Sequence, residues 1–312
     1  MALAFIFPGQ GSQAVGMGQA LKDAYPAARE VFEAVDEALG ESLSGLMADG
    51  PMETLTLTEN AQPAIMAVSI AAMRALKAEF GVEVSAARFV AGHSLGEYTA
   101  LCAAGAISLP DAARLLRLRG RAMQQAVPVG EGAMAAMLGA EMDQAEAAVA
   151  AGQAYGVVAI ANDNAPGQIV ISGVKAAVEA ALEAAKAHGV RRAMMLPVSA
   201  PFHCPLMSPA ADAMKIALKH VSIAAPAVPL IANVTAAPVT DPETIRARLV
   251  EQVTGRVRWR ESIDFMQGEG VSCYAEAGAK VLVSMLRRHI PEAEGVALTG
   301  PEELEAFAAS LA

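Results

Sequence analysis

The sequence predicts an α/β protein in which a large domain is interrupted by a smaller one. Three observations carry this. A strand, a Gly-x-Ser-x-Gly turn and a small-residue helix follow one another between residues 87 and 104. The segment from Pro128 to Pro197 has the order βαββαβ, the ferredoxin-like arrangement. With 312 residues, 54% hydrophobic and 18% charged, the chain can bury a sizeable core and hold a second unit.

The chain opens on an apolar strand, Leu3 to Phe7, which runs into Pro8-Gly9-Gln10-Gly11-Ser12-Gln13. Two glycines in a polar loop at a strand's carboxyl end leave backbone N–H groups exposed where α/β proteins place their sites. The loop is no phosphate-binding fingerprint, because no Lys-Ser/Thr follows and Gly-x-Gly-x-x-Gly is not matched. Two scaffold helices come next. Pro26 suits a first helical position, with Val31, Phe32, Val35 and Leu39 at helical spacing before Gly40. Ala61 to Phe80 carries Ile65, Val68, Ala72 and Leu76 on one stripe, ahead of Gly81.

Ala87 to Val90 then reads as a buried strand, and Tyr98 to Ala104 as a helix. Between them lies Gly92-His93-Ser94-Leu95-Gly96-Glu97. A turn this tight needs small flanking residues, and it lifts the Ser94 hydroxyl above the strand end. The helix start behind it offers free amides and a positive dipole end to an oxyanion. Ser94 is the candidate nucleophile; the alternative is an ordinary strand-to-helix turn with a capping serine.

Ser108-Leu109-Pro110-Asp111 opens a helix reaching about Ala126, with Ser108 as its cap. On a helical wheel Arg114, Arg117 and Arg121 share one face, whereas Arg119 falls among Ala112, Leu115, Leu116, Ala122 and Met123. A guanidinium on an apolar stripe is costly unless an anion meets it. Arg119 is therefore a candidate clamp for a ligand carboxylate, with a structural ion pair to a buried acid as the alternative.

In the smaller unit, strands are expected at Ala133–Leu138, Val157–Ile160, Gln168–Ser172 and Arg192–Leu196. Helices are expected at Asp143–Ala151 and Val174–His188, and Asn162 to Gly167 reads as a turn-rich loop. His203 follows in Pro201-Phe202-His203-Cys204-Pro205, where the prolines exclude a helix interior; it is the candidate general base. Cys204, beside it, reads as a buried thiol rather than a rival nucleophile. The large domain resumes with a strand at Val228–Ile231, its exit loop at Asn233-Val234-Thr235, and helical segments around Leu249–Val253 and Trp259. A strand at Val271–Glu276, a helix at Ala279–His289, a strand at Gly295–Leu298 and a helix at Pro301–Leu311 complete it.

The net charge of −10 argues against nucleic acid or an anionic membrane surface as partner. No apolar run approaches 18 residues and no basic n-region precedes Leu3, so neither a spanning helix nor a signal peptide is expected. Three scattered cysteines without a paired motif fit a reducing cytoplasm and no metal site. Gly-x-Ser-x-Gly also serves esterases and thioesterases, which need an acid between nucleophile and histidine; Asp163 stands in that interval. A catalytically silent carrier-binding protein is the third reading, against which the intact Ser94, His203 and Arg119 argue.

Taken together, the Gln10 loop, the Gly92–Glu97 elbow, the arginine helix and Pro201-Phe202-His203-Cys204 resemble malonyl-CoA:acyl carrier protein transacylases. The resemblance extends to Asn164-Ala165-Pro166-Gly167-Gln168, Asn233-Val234-Thr235 and Gln252, and spans essentially the whole chain. It implies a hydrolase-like large domain with a central, mostly parallel sheet, residues 1–127 and 198–312, and a ferredoxin-like small domain, residues 128–197. It implies Ser94 as nucleophile and His203 as base, an oxyanion hole from the amides of Gln10 and Leu95, and Arg119 on the malonyl carboxylate. Gln252 matches the residue whose main-chain carbonyl orients the histidine, and Asn164, Met123 and Phe202 are candidate CoA or pantetheine contacts. Phe202 is the choice of malonyl-type rather than methylmalonyl-type domains. The implied partners are CoA thioesters and a transient acyl carrier protein, with no bound cofactor and a monomeric enzyme. Because such carriers are acidic, docking needs a local basic patch, either Lys186, Arg191 and Arg192 or Arg287 and Arg288. Two loops depart from the family, Thr254-Gly255-Arg256 and Gly278-Ala279-Lys280; neither is expected to touch the Ser–His pair.

Overall fold

The computed structural model describes residues 2–311. Among the described residues there are ten strands: β1 (Leu3–Phe7), β2 (Phe89–Gly92), β3 (Gly132–Leu138), β4 (Val158–Ala165), β5 (Gln168–Val174), β6 (Arg192–Met195), β7 (Leu230–Ala232), β8 (Ala237–Val239), β9 (Cys273–Ala277) and β10 (Glu294–Leu298). They form two sheets.

The larger sheet has the order β10-β9-β1-β2-β7-β8, parallel throughout except for the β7–β8 hairpin at one edge. β1, β2 and β9 are buried along their whole length. Their near-continuous apolar sequence follows, because helices cover both faces and leave no solvent side. Alternation still sorts the side chains. Leu3, Phe5 and Phe7 enter the core beneath the helix Thr58–Phe80, while Ala4 and Ile6 join Trp259, Ile263 and Met266 on the other face.

The smaller sheet has the order β4-β5-β3-β6 and is antiparallel. With the helices Met142–Gly152 and Lys175–Ala187 this is the ferredoxin-like arrangement that the sequence predicts. Ala135, Met137, Ile169 and Ile171 pack under those helices, whereas Met134, Ala136 and Val170 face the core of the larger sheet. Asn164 of β4 reaches His93, just past the carboxyl end of β2, at 2.8 Å.

Several local expectations change. Asn162 to Ala165, expected as loop, continues β4 through two register shifts. The cause is pairing outside the small sheet: Asp163 N–H donates to Val257 O at 2.9 Å, and Val257 N–H donates to Ala161 O at 2.8 Å. Arg117, which shares a face with Arg114 and Arg121 on the wheel, is buried as well; its guanidinium pairs with Glu41 and donates to Asn60. The helix Leu109–Gln125 is packed on two sides, so its polar stripe is partly covered by the start of the helix Thr58–Phe80. There Gly120 leaves room for the passing backbone, since a Cβ would stand 2.5 Å from Glu59 Cα. Helices Leu43–Asp49, Met52–Thr56 and Ser208–Lys219, and strand β8, lie where the sequence reading placed no element. The divergent loop at Gly278 leads into the helix Leu282–His289, whose first amides are met by the buried Glu276 carboxylate, at 3.0 Å from Val281 and 2.8 Å from Val283.

Candidate active site

The elbow lies between β2 and the helix Gly96–Ala103. Ser94 holds φ at +56°, the left-handed region that costs a non-glycine residue energy and must be held by its surroundings. The flanking glycines are required by space. A Cβ at Gly92 would stand 1.9 Å from the Gly96 carbonyl carbon, and one at Gly96 would stand 2.3 Å from Phe7 O. Asn233, at the end of β7, bridges the turn: Ser94 N–H donates to its Oδ1 at 2.8 Å, and its Nδ2 donates to Gly92 O at 2.7 Å.

His203, also left-handed at φ +58°, brings Nε2 to 2.8 Å from Ser94 Oγ. Its Nδ1 faces two carbonyls, Gln252 O at 3.0 Å and Gly255 O at 3.2 Å. Carbonyls only accept, so Nδ1 carries the proton and Nε2 presents a lone pair to the Ser94 hydroxyl. Burial pushes the imidazole down to about 3, with Arg119 and His93 acting in the same direction. His203 is therefore neutral at physiological pH, the form a base requires. Gly255 belongs to one of the divergent loops, so that loop does touch the pair, contrary to the sequence expectation. Asp163 does not; its carboxylate is held by Arg260, with contacts of 2.8 to 3.1 Å.

Arg119 is 1% exposed. Its Nη1 donates to Gln62 Oε1 at 2.9 Å, and its Nη2 donates to Gln252 Oε1 at 2.7 Å and to Ser94 Oγ at 3.1 Å. The guanidinium also lies 5.7 Å from the centre of the Tyr98 ring. Its hydrogen-bond acceptors are neutral amide oxygens and a hydroxyl, so the cation faces the nucleophile without a carboxylate in contact.

The loop after β1 packs directly on the elbow. His93 N–H donates to Phe7 O at 3.0 Å, and a Cβ at Gly9 would stand 2.9 Å from His93 Nδ1. Gln10 is tethered through its side chain to Thr58 Oγ1 at 3.3 Å. The amides of Gln10 and Leu95 find no acceptor among the described residues. His93 reaches the small sheet, its Nε2 lying 2.8 Å from Asn164 Oδ1, and its ring lies tilted against Trp259 with ring centres 5.7 Å apart. Phe202 is buried beside His203. Met123, expected as a pantetheine contact, is 1% exposed and lies against the Gln62 amide, whose Nε2 is 3.8 Å from its Sδ. Cys204 is fully buried and its thiol is pushed up by burial, as expected of an inert cysteine. Sequence reasoning assigned no role to Gln62, Glu97 or Asn233. Gln62 is the most legible of these, an amide at the head of the apolar run Pro63–Val68.

With the geometry in place, comparison with known proteins gives its family. The acyl transferase domain family matches residues 4–285. A malonyl CoA-acyl carrier protein transacylase of Bacillus subtilis is 45% identical over 305 residues, covering 97% of this chain and 95% of that relative. The crystal structure of an acyl-carrier-protein-S-malonyltransferase from Bartonella henselae superposes with a TM-score of 0.97 at 54% identity, covering 100% and 99% of the two chains. A malonyl-transacylase solved in complex with a type II polyketide acyl-carrier protein superposes at 0.95 with 38% identity, covering 99% and 100%. The chain belongs to the acyl transferase family, among the malonyl CoA-acyl carrier protein transacylases.

Proposed function

We propose that this enzyme moves a malonyl group from malonyl-CoA to the phosphopantetheine thiol of an acyl carrier protein, through an ester on Ser94. The observation that carries the reading is the placement of Ser94 Oγ between a lone-pair nitrogen, His203 Nε2 at 2.8 Å, and a buried cation, Arg119 Nη2 at 3.1 Å. The first makes the hydroxyl a nucleophile. The second suits an acyl group that carries its own carboxylate.

His203 takes the hydroxyl proton as Ser94 Oγ bonds to the thioester carbonyl, and the amides of Gln10 and Leu95 receive the oxyanion. Collapse of the tetrahedral intermediate breaks the C–S bond, and CoA leaves with the proton from His203 Nε2. The carrier's thiol then repeats the sequence in reverse, losing its proton to His203 and regenerating the Ser94 hydroxyl. The Gln252 and Gly255 carbonyls hold the imidazole in the required tautomer, the part an aspartate plays in a triad. Every step uses side-chain and main-chain groups of this chain, the malonyl thioester and the carrier's thiol, with no cofactor. Asn164 and Phe202 border the approach of the pantetheine arm, and the enzyme supplies extender units for fatty acid synthesis in the cytoplasm.

The hydrolase alternative needs an acid on His203, and the one considered, Asp163, is engaged by Arg260. One experiment tests the assignment. Incubated with radiolabelled malonyl-CoA, the enzyme is expected to hold label on Ser94 and pass it to added carrier protein. Release as free malonate would support a hydrolase, and absence of label a binding protein.

A further inference from the structure

Glu97 is a carboxylate built into the floor of this site. It sits in the first turn of the helix behind Ser94, 1% exposed, in a position where a charge has to be met by donors. Two donors meet it: the Asn233 amide at 2.6 Å on Oε1, and the Gln252 side-chain amide on Oε2. Burial pushes the carboxyl up to about 7, while those two donors and the nearby Arg119 charge pull it the other way.

The Gln252 side chain has two unlike ends, and its neighbours leave it one orientation. Its Nε2 stands between two acceptors, Glu97 Oε2 and Ser94 O, the latter at 2.7 Å. Only Oε1 is left for Arg119 Nη2, at 2.7 Å. The main-chain carbonyl of the same residue accepts from His203 Nδ1. Clamp and base thus hang on one glutamine, and Glu97 determines which end of it the clamp sees.

We propose that Glu97 is a positioning residue for acyl selection: it acts through Gln252 to aim the Arg119 guanidinium, and balances its charge without occupying it. A carboxylate bonded directly to Arg119 would compete with the malonyl carboxylate for the same fork. Placed one side chain away, Glu97 offsets the buried cation while the donors nearest Ser94 stay available. Asn233 ties this arrangement to the nucleophile, since its amide holds Glu97 while its side chain holds the Ser94 N–H. The inference rests on the malonyl-transfer reading for its substrate, but its structural half does not.

The test is Glu97→Gln. A glutamine can still accept from the Asn233 amide, but its NH2 then meets Gln252 Nε2, donor against donor. Gln252 has to turn over or move, withdrawing the acceptor from Arg119. Expected is a loss of at least 10-fold in the malonyl-over-acetyl ratio of kcat/KM, with KM for malonyl-CoA rising more than kcat falls. A crystal structure of E97Q is expected to show Arg119 displaced from Gln252. A purely structural role would lower both acyl substrates in proportion, and an unchanged ratio with Arg119 in place overturns the proposal. Should E97Q not fold, Glu97→Asp keeps the charge but retracts it by one methylene from Gln252, and is expected to lower the same ratio; an unchanged ratio there overturns it equally. If the wild-type enzyme were to form no malonyl ester, the substrate reading would fail while the position of Arg119 in the variant crystal still decided the role of Glu97.

Discussion

Arg119 donates to the hydroxyl of Ser94 at 3.1 Å, and both of its other acceptors are glutamine amide oxygens. A buried guanidinium in that setting is electrostatically under-compensated at close range, which is costly in the empty enzyme and favourable once an anion arrives. The malonyl carboxylate is one methylene from the ester carbonyl, so a cation touching Oγ is within its reach. Selectivity and nucleophile placement are consequently coupled in one contact.

Arg119→Ala is expected to lower kcat/KM for malonyl-CoA by roughly 30- to 5,000-fold, the equivalent of about 2–5 kcal/mol, as for truncation of one partner of a desolvated charge pair. Acetyl-CoA, which leaves a wild-type Arg119 unpaired, should gain relative to malonyl-CoA. Steady-state kinetics with both thioesters checks this; a malonyl preference that survives the substitution removes the clamp assignment.

His203→Ala should reduce the rate of Ser94 acylation by about 10²–10⁴-fold, the usual contribution of a positioned base. Ser94→Ala should give no covalent label. Rapid-quench measurement of the malonyl-enzyme distinguishes the two, because the histidine variant still accumulates ester slowly.

Stability should depend on pH through two buried groups of opposite sign. His203 is lowered to about 3 on folding, so the unfolded chain binds more protons below its ordinary value of 6.5, and stability is lost as pH falls from there toward 3. Glu97 is raised from 4.5 to about 7, so its contribution is greatest below 4.5 and is lost as pH rises through 7. Denaturant unfolding between pH 4 and 8 should show a shallower acid-side loss in His203→Ala than in wild type, and a shallower loss toward pH 8 in Glu97→Gln. Parallel curves for variants and wild type would contradict these environments.

Gly96→Ala should be destabilising by about 3 kcal/mol or more, because its Cβ would stand 2.3 Å from a backbone oxygen that cannot swing away. Gly268→Ala, where nothing lies within 4 Å and the helix would gain, is expected to be neutral or slightly stabilising. Thermal melts of the pair separate the steric demand of the elbow from a general intolerance of glycine replacement.

We propose that the carrier docks on exposed cations, either Arg191 and Arg192 at the start of the edge strand β6 or Arg287 and Arg288 on the helix Leu282–His289. Charge reversal at the pair that docks should raise KM for the carrier severalfold and leave malonyl-CoA kinetics unchanged, with the effect shrinking at high salt. Equal effects on both substrates would assign the residues to stability instead.

The sequence by itself determined the candidates and the small sheet's order: Ser94 in its elbow, His203 among prolines, Arg119 on an apolar stripe, and βαββαβ. Each is a local pattern of residue type, turn chemistry or periodicity over a few neighbouring positions. Only the tertiary structure decided which burials matter. A helical wheel separated Arg119 from Arg117, yet both are buried, because helices packed from two sides leave less free face than periodicity implies. Asp163, the acid that the hydrolase alternative would require, is engaged by Arg260. Gly255 in a divergent loop, the side chain of Gln252 and the carboxylate of Glu97 enter the site through contacts between segments far apart in the chain. Local sequence carries no record of such contacts, since a side chain's partners are set by which strand ends and helix starts the fold brings together.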